Sequence, residues 1–444
     1  MPKRLLPIAA LLALLAAMLA LMIGPMRQDT ATNDEPLFLG AGYLYWTESF
    51  FRFDPEQPPL SKEWAALPLL GMNVKLSDVA QGHLNGRALY PLAYNWRFKF
   101  KPLRELFPQG PDDWYYWPFL EGYSFGYTLL YDGTNHPERL LFAGRFMQAL
   151  LSLATAVALF LWARQLAGPA AGLLAAAGWA FNPVTLAYGH LVITDVAATL
   201  TILLAVWAFA RFLDQPTPLR SALTGCAVGC ALLTKFTALL LLPMFLAMAV
   251  VSWSRSPAET RQLGKFGKCA PLIALLAWIV LLLGYAPHWT PAPFLPADRA
   301  ETLLVPGWFQ FARRILIPPD FFKSVALQLG HARTGHEGYL LGAWRMKGWW
   351  YYYPVAFALK TPIPLLLLTL AGLAWFFKNL RRQSARQVAP WVAAAVYLGL
   401  AMASTINIGI RHLLPMIGLV AVGAAAQLAT APRAARIAAW FGTA

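Results

Sequence analysis

The chain has 444 residues, 58% of them hydrophobic and only 13% charged, with a formal net charge of +15. Soluble domains are nearer a quarter charged, so this composition excludes a water-soluble globular protein. Repeated apolar runs of roughly 18 to 25 residues, each able to cross a bilayer as a helix, predict an all-α polytopic membrane protein.

The first run, Leu5 to Ile23, follows Lys3 and Arg4. It has the basic start of a signal peptide, but it is long for one and carboxylates follow closely, so a retained first helix is expected. Further spans are expected at 139–163, 170–187, 191–212, 219–235, 236–253, 269–286, 352–377, 389–406 and 410–430. That makes about ten in all. Pro183, after Asn182, is placed to break the third. The chain reads as a single domain, 1–444. Its parts are the first helix (1–23), a first outer loop (24–138), helices two to seven (139–286), a second long outer loop (287–351) and the C-terminal helices (352–444).

The charges orient this threading. With a cytoplasmic N-terminus, the inner segments hold 15 basic residues against only Asp214 and Glu259, which is +13 of the total +15. Such asymmetry follows the positive-inside rule. The basic excess is therefore a topology signal and no nucleic-acid partner is implied. No inner loop carries a glycine-rich phosphate loop leading into a helix. The chemistry is expected outside the cytoplasm, on the outer face of a plasma or inner cell membrane.

Cys226, Cys230 and Cys269 fall outside both long polar stretches and read as small packing residues. Aromatic residues gather in DDWYYW at 112–117, in Tyr123, Phe125 and Tyr127, and in GWWYYYP at 348–354. They fit either an interfacial belt or a platform for a sugar ring or isoprenoid chain.

Just after the first span comes TNDEP, Thr32 to Pro36. Asn33, Asp34 and Pro36 would suit a helix start. Adjacent carboxylates at a membrane-helix mouth also suit acid/base chemistry, and Asp34 is the candidate catalytic base. Five ionisable residues then lie in or at the ends of spans, each in the outer half: Arg145, Asp195, Lys235, Lys360 and Arg411. Lys235 and Arg411 would also serve as snorkelling anchors, but intramembrane charges are costly and mark functional sites by default. With Asp34, Glu35 and Lys62 they give three carboxylates and five cations near one leaflet. Clustered cations bind phosphate, with arginine able to do so bidentately, and a carboxylate can take a proton from an attacking hydroxyl. Asp34, Glu35 and Asp195 are the candidate catalytic acids. Lys62, Arg145, Lys235, Lys360 and Arg411 are the candidate phosphate ligands. His190, Asn407 and Arg345 are further site candidates. His331, His336 and Glu337 read as loop residues and not as a zinc site. Pro362 and Pro364, after Lys360, predict a broken helix bordering a polar cavity.

Seven short elements in order carry a resemblance. They are Asp34-Glu35, Pro58-Pro59-Leu60-Ser61-Lys62, RLLFAGRFMQ at 139–148, His190 to Asp195 after Asn-Pro, Thr234-Lys235, Lys360 to Pro364, and Asn407 to Pro415. The chain resembles, over almost its whole length, the C-type (GT-C) membrane glycosyltransferases, in the branch of protein O-mannosyltransferases and lipid A aminoarabinose transferases. The resemblance implies inverting transfer of a sugar from a polyprenyl-phosphate donor to an acceptor protein, lipid or glycan. It implies Asp34 as general base and Lys62 as a phosphate ligand, with Arg145, Asp195 and Arg411 in the site. It also implies juxtamembrane helices near 33–48 and 60–72. Some relatives use a divalent cation, which Asp34, Glu35 and Asp195 would hold. Gln57 stands where the family carries histidine, and family members often carry further helices or a soluble domain beyond the tenth span. The competing function class is a transporter or flippase of an anionic lipid or solute, which would be expected to show internal repeats and a midplane site.

Overall fold

The computed structural model describes residues 5–48, 53–54, 56–84, 116–255, 262–286 and 318–431. Among these it is an all-α membrane protein with one small hairpin. Six helices are long and apolar enough to cross a bilayer, namely Leu6–Gln28, Pro137–Ala167, Asp195–Asp214, Phe236–Arg255, Leu263–Tyr285 and Ile410–Thr430. Of the other expected spans, one is shorter, one is an unbroken but less apolar helix and two are broken, each break with a local cause.

The chain opens with α1 (Leu6–Gln28). The two expected juxtamembrane helices are α2 (Asp34–Glu48) and α3 (Leu60–Ala66), the latter continued by a 3₁₀ turn over Leu67–Gly71. A short α4 (Asp78–Leu84) and α5 (Tyr116–Tyr131) complete the described part of the first polar stretch. Residues 112–115 of the aromatic tract at 112–117 lie outside the described residues. The long α6 (Pro137–Ala167) then turns at Gly168, where φ is +87°, into α7 (Pro169–Ala180). Asn182 accepts the Val184 N–H at 3.0 Å and caps α8 (Pro183–Tyr188). The third span therefore breaks at Asn182-Pro183 as its sequence requires. Next come α9 (Asp195–Asp214), α10 (Pro218–Leu232, capped by Thr217), α11 (Leu241–Arg255) and α12 (Leu263–Tyr285).

The second polar stretch, expected as loop, is partly ordered. It contains α13 (Pro319–Thr334) and an antiparallel pair, β1 (Gly338–Leu340) with β2 (Ala343–Arg345). Residues 287–317 lie outside the described part. The eighth span is two helices, α14 (Tyr352–Lys360) and α15 (Ile363–Lys378), because Pro362 cannot donate a hydrogen bond inside a helix. The break faces a crevice lined mainly by Leu365, Ile417, Val420 and alanines, with Asn182, Thr361 and Thr369 its polar members. The polar cavity expected there is thus a largely apolar groove. α16 (Ala385–Met402) begins with a Ser384/Gln387 capping box, and α17 (Leu414–Thr430) follows a 3₁₀ turn over Ile410–Leu413.

Alanine and glycine faces let α6, α7, α9 and α17 pack closely, around buried Trp179, Leu203, Val206 and Leu419. Cys226 is exposed on α10, contrary to the packing role expected of it. The two ends of the bundle differ in chemistry. At one, Asp214 pairs with Arg386 and Arg220, and Arg255 donates to the carbonyls of Leu380 and Gln383. At the other, the helices of the first polar stretch sit across the ends of α6, α9 and α17 and meet the acids and cations singled out from sequence.

Candidate active site

Two close backbone approaches set the site. α5 reaches α2 at Gly126, where an added Cβ would lie 2.1 Å from the Pro36 carbonyl oxygen. α3 reaches α2 at Gly42, where a Cβ would lie 2.2 Å from the Lys62 carbonyl oxygen. Only glycine permits these contacts. They hold the first turn of α2, with Asp34 and Glu35, against α5 and over the end of α6.

Arg145 and Glu35 form a buried bidentate pair. Nε donates to Oε1 at 2.8 Å and Nη2 to Oε2 at 2.7 Å, and the side chains are 1% and 0% exposed. The rest of the guanidinium closes the chain after α1. Nη1 donates to the carbonyls of Met26 (3.2 Å) and Asp29 (2.8 Å), and Nη2 to that of Thr30 (2.9 Å). All five N–H donors of an arginine are thereby used. Glu35 is equally occupied, accepting also from the backbone N–H of Thr32 at 2.8 Å and of Val192 at 3.1 Å. Burial pushes its carboxyl up, but Arg145 and these N–H donors outweigh that and hold it below the usual carboxylate range. Arg145 was expected as a phosphate ligand and Glu35 as a catalytic acid, and in the structure both are fully engaged with each other and with the backbone. Neither has a free valence, and together they lock α1, α2, α6 and the 191–194 turn.

Lys62, expected as a phosphate ligand, is likewise fully engaged. It is 1% exposed, and its ammonium donates to Tyr45 Oη (2.8 Å), Asp54 Oδ2 (2.8 Å), the Gln57 carbonyl (2.7 Å) and the Asp54 carbonyl (3.2 Å). Four acceptors compete for three protons, and none is left for a phosphate. Burial pushes the Lys62 amine down and the Asp54 carboxyl up, and their attraction opposes both. Asp54 was not legible as a partner. Its only sequence signal is a carboxylate eight residues before the lysine.

The groups that keep free valences are different. Asp34 is 24% exposed, accepts from Arg411 Nη1 at 2.9 Å on Oδ2 and from the Tyr123 hydroxyl at 3.2 Å on Oδ1. Neither bond is to its own helix's N–H groups. Its partners are a distant guanidinium and a distant hydroxyl, so a cap does not account for Asp34. Asp195 opens α9 and receives Lys235 Nζ at 2.6 Å, with exposures of 5% and 11%. Arg411 lies within electrostatic reach of both Asp34 and Asp195. The four make an alternating row, carboxylate–guanidinium–carboxylate–ammonium, drawn from α2, the turn before α17, α9 and the turn after α10. His412 and the buried Tyr353 and Tyr397 border it. Sequence reading passed over His412, whose Nε2 is buried without a partner.

The remaining candidates lie around this row. His190 is 2% exposed, with Nδ1 donating to the Leu186 carbonyl at 2.9 Å and Nε2 unpartnered. Asn407 is buried and accepts the Trp349 N–H at 2.7 Å, fixing the approach to α14. Lys360 is exposed at the end of α14 and makes no ion pair among the described residues. Arg345, exposed on β2, stacks over Trp349 with Cζ 5.3 Å from the ring centre. His331 lies on α13, where it meets Glu56 at 2.9 Å, and not in a loop. The expected cation ligands do not form a set. Glu35, Asp195 and Asp34 each face a different cationic side chain, and no group of three or more metal-binding residues is found among the described residues.

Comparison with known proteins agrees with this architecture. Residues 138–286 match the family model of the dolichyl-phosphate-mannose-protein mannosyltransferases. No curated protein matches the whole sequence closely enough to count as a relative. Among solved structures, ArnT from Cupriavidus metallidurans bound to undecaprenyl phosphate superposes with a TM-score of 0.57 at 12% identity. The match covers 98% of this chain and 62% of that one, and the apo state of the same protein matches equally well. The Archaeoglobus fulgidus oligosaccharyltransferase, tethered with an acceptor peptide, matches with a TM-score of 0.53 at 12% identity, covering 96% of this chain and 49% of that one. The chain thus spans about three-fifths of the length of the ArnT structures. Its fold is that of the GT-C membrane glycosyltransferases.

Proposed function

We propose that this GT-C-fold protein is an inverting glycosyltransferase that moves a sugar from a polyprenyl-phosphate donor to an acceptor on the outer face of a cell membrane, its N-terminus being cytoplasmic. One observation carries the reading. The pairs Asp34–Arg411 and Asp195–Lys235, from distant parts of the sequence, meet at one end of the bundle where polar loops join membrane helices. The undecaprenyl phosphate and the acceptor peptide held by two proteins of the same fold support a lipid-phosphate donor and a separate acceptor.

In this reaction Asp34 takes the proton from the acceptor hydroxyl. The oxygen attacks the anomeric carbon from the face opposite the phosphate, and the bond from that carbon to the phosphate oxygen breaks, its electron pair leaving with the phosphate. Inversion follows from a single displacement. Arg411 and Lys235 retain N–H donors beyond their carboxylate partners, and these stabilise the charge that builds on the departing phosphate. Tyr123 and Arg411 aim the Asp34 carboxylate, and Asp195 holds the Lys235 ammonium in place. Lys360, exposed where α14 breaks, meets the phosphate as the donor enters from the bilayer.

The test is transfer by the purified protein in nanodiscs, offered a panel of polyprenyl-phosphate sugars and read by mass spectrometry. Asp34→Asn is expected to lose about 10² to 10⁴-fold in turnover, the scale of a general base. Wild-type turnover in that variant removes Asp34 from the mechanism. Movement of labelled lipid between leaflets without transfer of any sugar replaces the whole reading with a flippase.

A further inference from the structure

The hairpin of β1 and β2 takes no part in the chemistry above, yet its composition is unusual for a polar stretch. Tyr339 and Trp344 face each other across the strands with ring centres 5.0 Å apart, and they are 53% and 65% exposed. Leu341 at the tip is 74% exposed, Met346 57% and Trp350 68%. The tip is built at a cost to the backbone. Leu341 has φ +48° and Gly342 φ +89°, a two-residue turn with both central residues in the left-handed region. Such turns favour Asn-Gly or Asp-Gly. Leucine is the only described non-glycine residue with positive φ, and folding gains nothing from exposing it to water.

We propose that this hairpin is an interfacial anchor, seated in the headgroup region of the leaflet at the active-site end of the bundle, with the bilayer surface as its partner. The mixture is the one that headgroup depth favours: tryptophan and tyrosine, apolar tips, and cations that reach phosphates. Arg345 and Lys347 supply the cations, both exposed on the same segment. The patch is continuous with the lipid-facing side of the bundle. Trp350 and Tyr351 lead into α14, and exposed Leu359, Ile363, Leu367 and Leu370 extend the apolar strip along α14 and α15. The base of the hairpin is rigidly tied to the site. His336 bridges Ile406, Trp349 N–H binds Asn407, and a Cβ on Gly338 would lie 3.0 Å from the Asn407 carbonyl oxygen. Asn407 is four residues before Arg411, so the depth at which the hairpin sits sets the depth of Arg411. The anchor stands whether or not the glycosyltransferase reading does.

The experiment uses the full chain with Cys226, Cys230 and Cys269 changed to serine, and Leu341→Cys carrying an environment-sensitive fluorophore, in vesicles of phosphatidylcholine and phosphatidylglycerol. Acyl-chain-brominated lipid is expected to quench the label strongly, and aqueous iodide weakly. Strong iodide quenching with none from bromolipid overturns the proposal. Protection from iodide without bromolipid quenching also overturns it, because protein and not lipid then covers the face. Leu341→Asn, with the label moved to Met346→Cys, keeps the test independent of folding. Asparagine suits the left-handed turn, so the thermal midpoint in detergent should hold or rise while bromolipid quenching falls. Unchanged quenching in that variant refutes the anchoring role of Leu341.

Discussion

Replacing Arg145 separates a structural use of this residue from a phosphate-binding one. Arg145→Ala leaves the Glu35 carboxylate fully buried, with only the Thr32 and Val192 backbone N–H groups and the Thr32 hydroxyl as partners. It also strips donors from the carbonyls of Met26, Asp29 and Thr30. Breaking one side of a buried ion pair costs roughly 3–5 kcal/mol. A folded state stable by about 5–15 kcal/mol loses much of its margin. Replacing both partners with apolar side chains, Arg145→Met with Glu35→Leu, removes the stranded charge. Asp29 and Thr30 are exposed residues whose carbonyls water can serve, so the double variant should recover most of the loss. Equilibrium unfolding in mixed micelles measures both. The stability held by Glu35 also has a pH signature of definite sign. Its carboxyl is depressed in the folded protein, so its contribution is complete above the ordinary glutamate range and disappears as pH falls through the lower, folded value. A single-variant cost below about 1 kcal/mol, where exposed pairs lie, would refute the argument. So would a double variant that folds well but no longer binds the lipid-phosphate donor, since Arg145 would then touch phosphate directly.

Three further outcomes are expected. Lys62→Met strands the Asp54 carboxylate, whose Oδ1 already lacks a partner, and should cost roughly 3–5 kcal/mol of stability, with most of it restored by adding Asp54→Leu. Gly126→Ala drives a methyl into the Pro36 carbonyl, and should cost about 1–3 kcal/mol in thermal unfolding while lowering turnover by shifting Tyr123 from Asp34. Lys235→Ala removes one charge-assisted donor of about 1.5–3 kcal/mol, which predicts roughly a ten- to hundredfold loss in kcat/KM for the lipid donor, measured with the acceptor saturating.

Much of the architecture was legible because membrane helices obey one-dimensional rules. Apolar length gave most of the spans, and Pro183 and Pro362 gave two breaks, while the lysine and arginine bias supplies the expected orientation on which the outer-face proposal rests. The juxtamembrane helices fell where the resemblance put them. The order within the second polar stretch was not legible, because a two-residue turn at Leu341-Gly342 has no turn-forming sequence and its hairpin depends on contacts with Asn407.

The list of ionisable residues near one leaflet followed from the order of amino acids alone, since a charge beside a bilayer stands out against the apolar background. Which of them keep hydrogen-bonding capacity did not follow, because saturation depends on distances between groups more than a hundred positions apart. Arg145 and Lys62 looked the same in kind as Arg411 and Lys235 until packing set three carbonyls and Glu35 around one, and Asp54 and Tyr45 around the other. Close approach at Gly42 and Gly126 seats α2 against α3 and α5, and the packing as a whole leaves Asp34, Asp195, Lys235 and Arg411 with valences unspent.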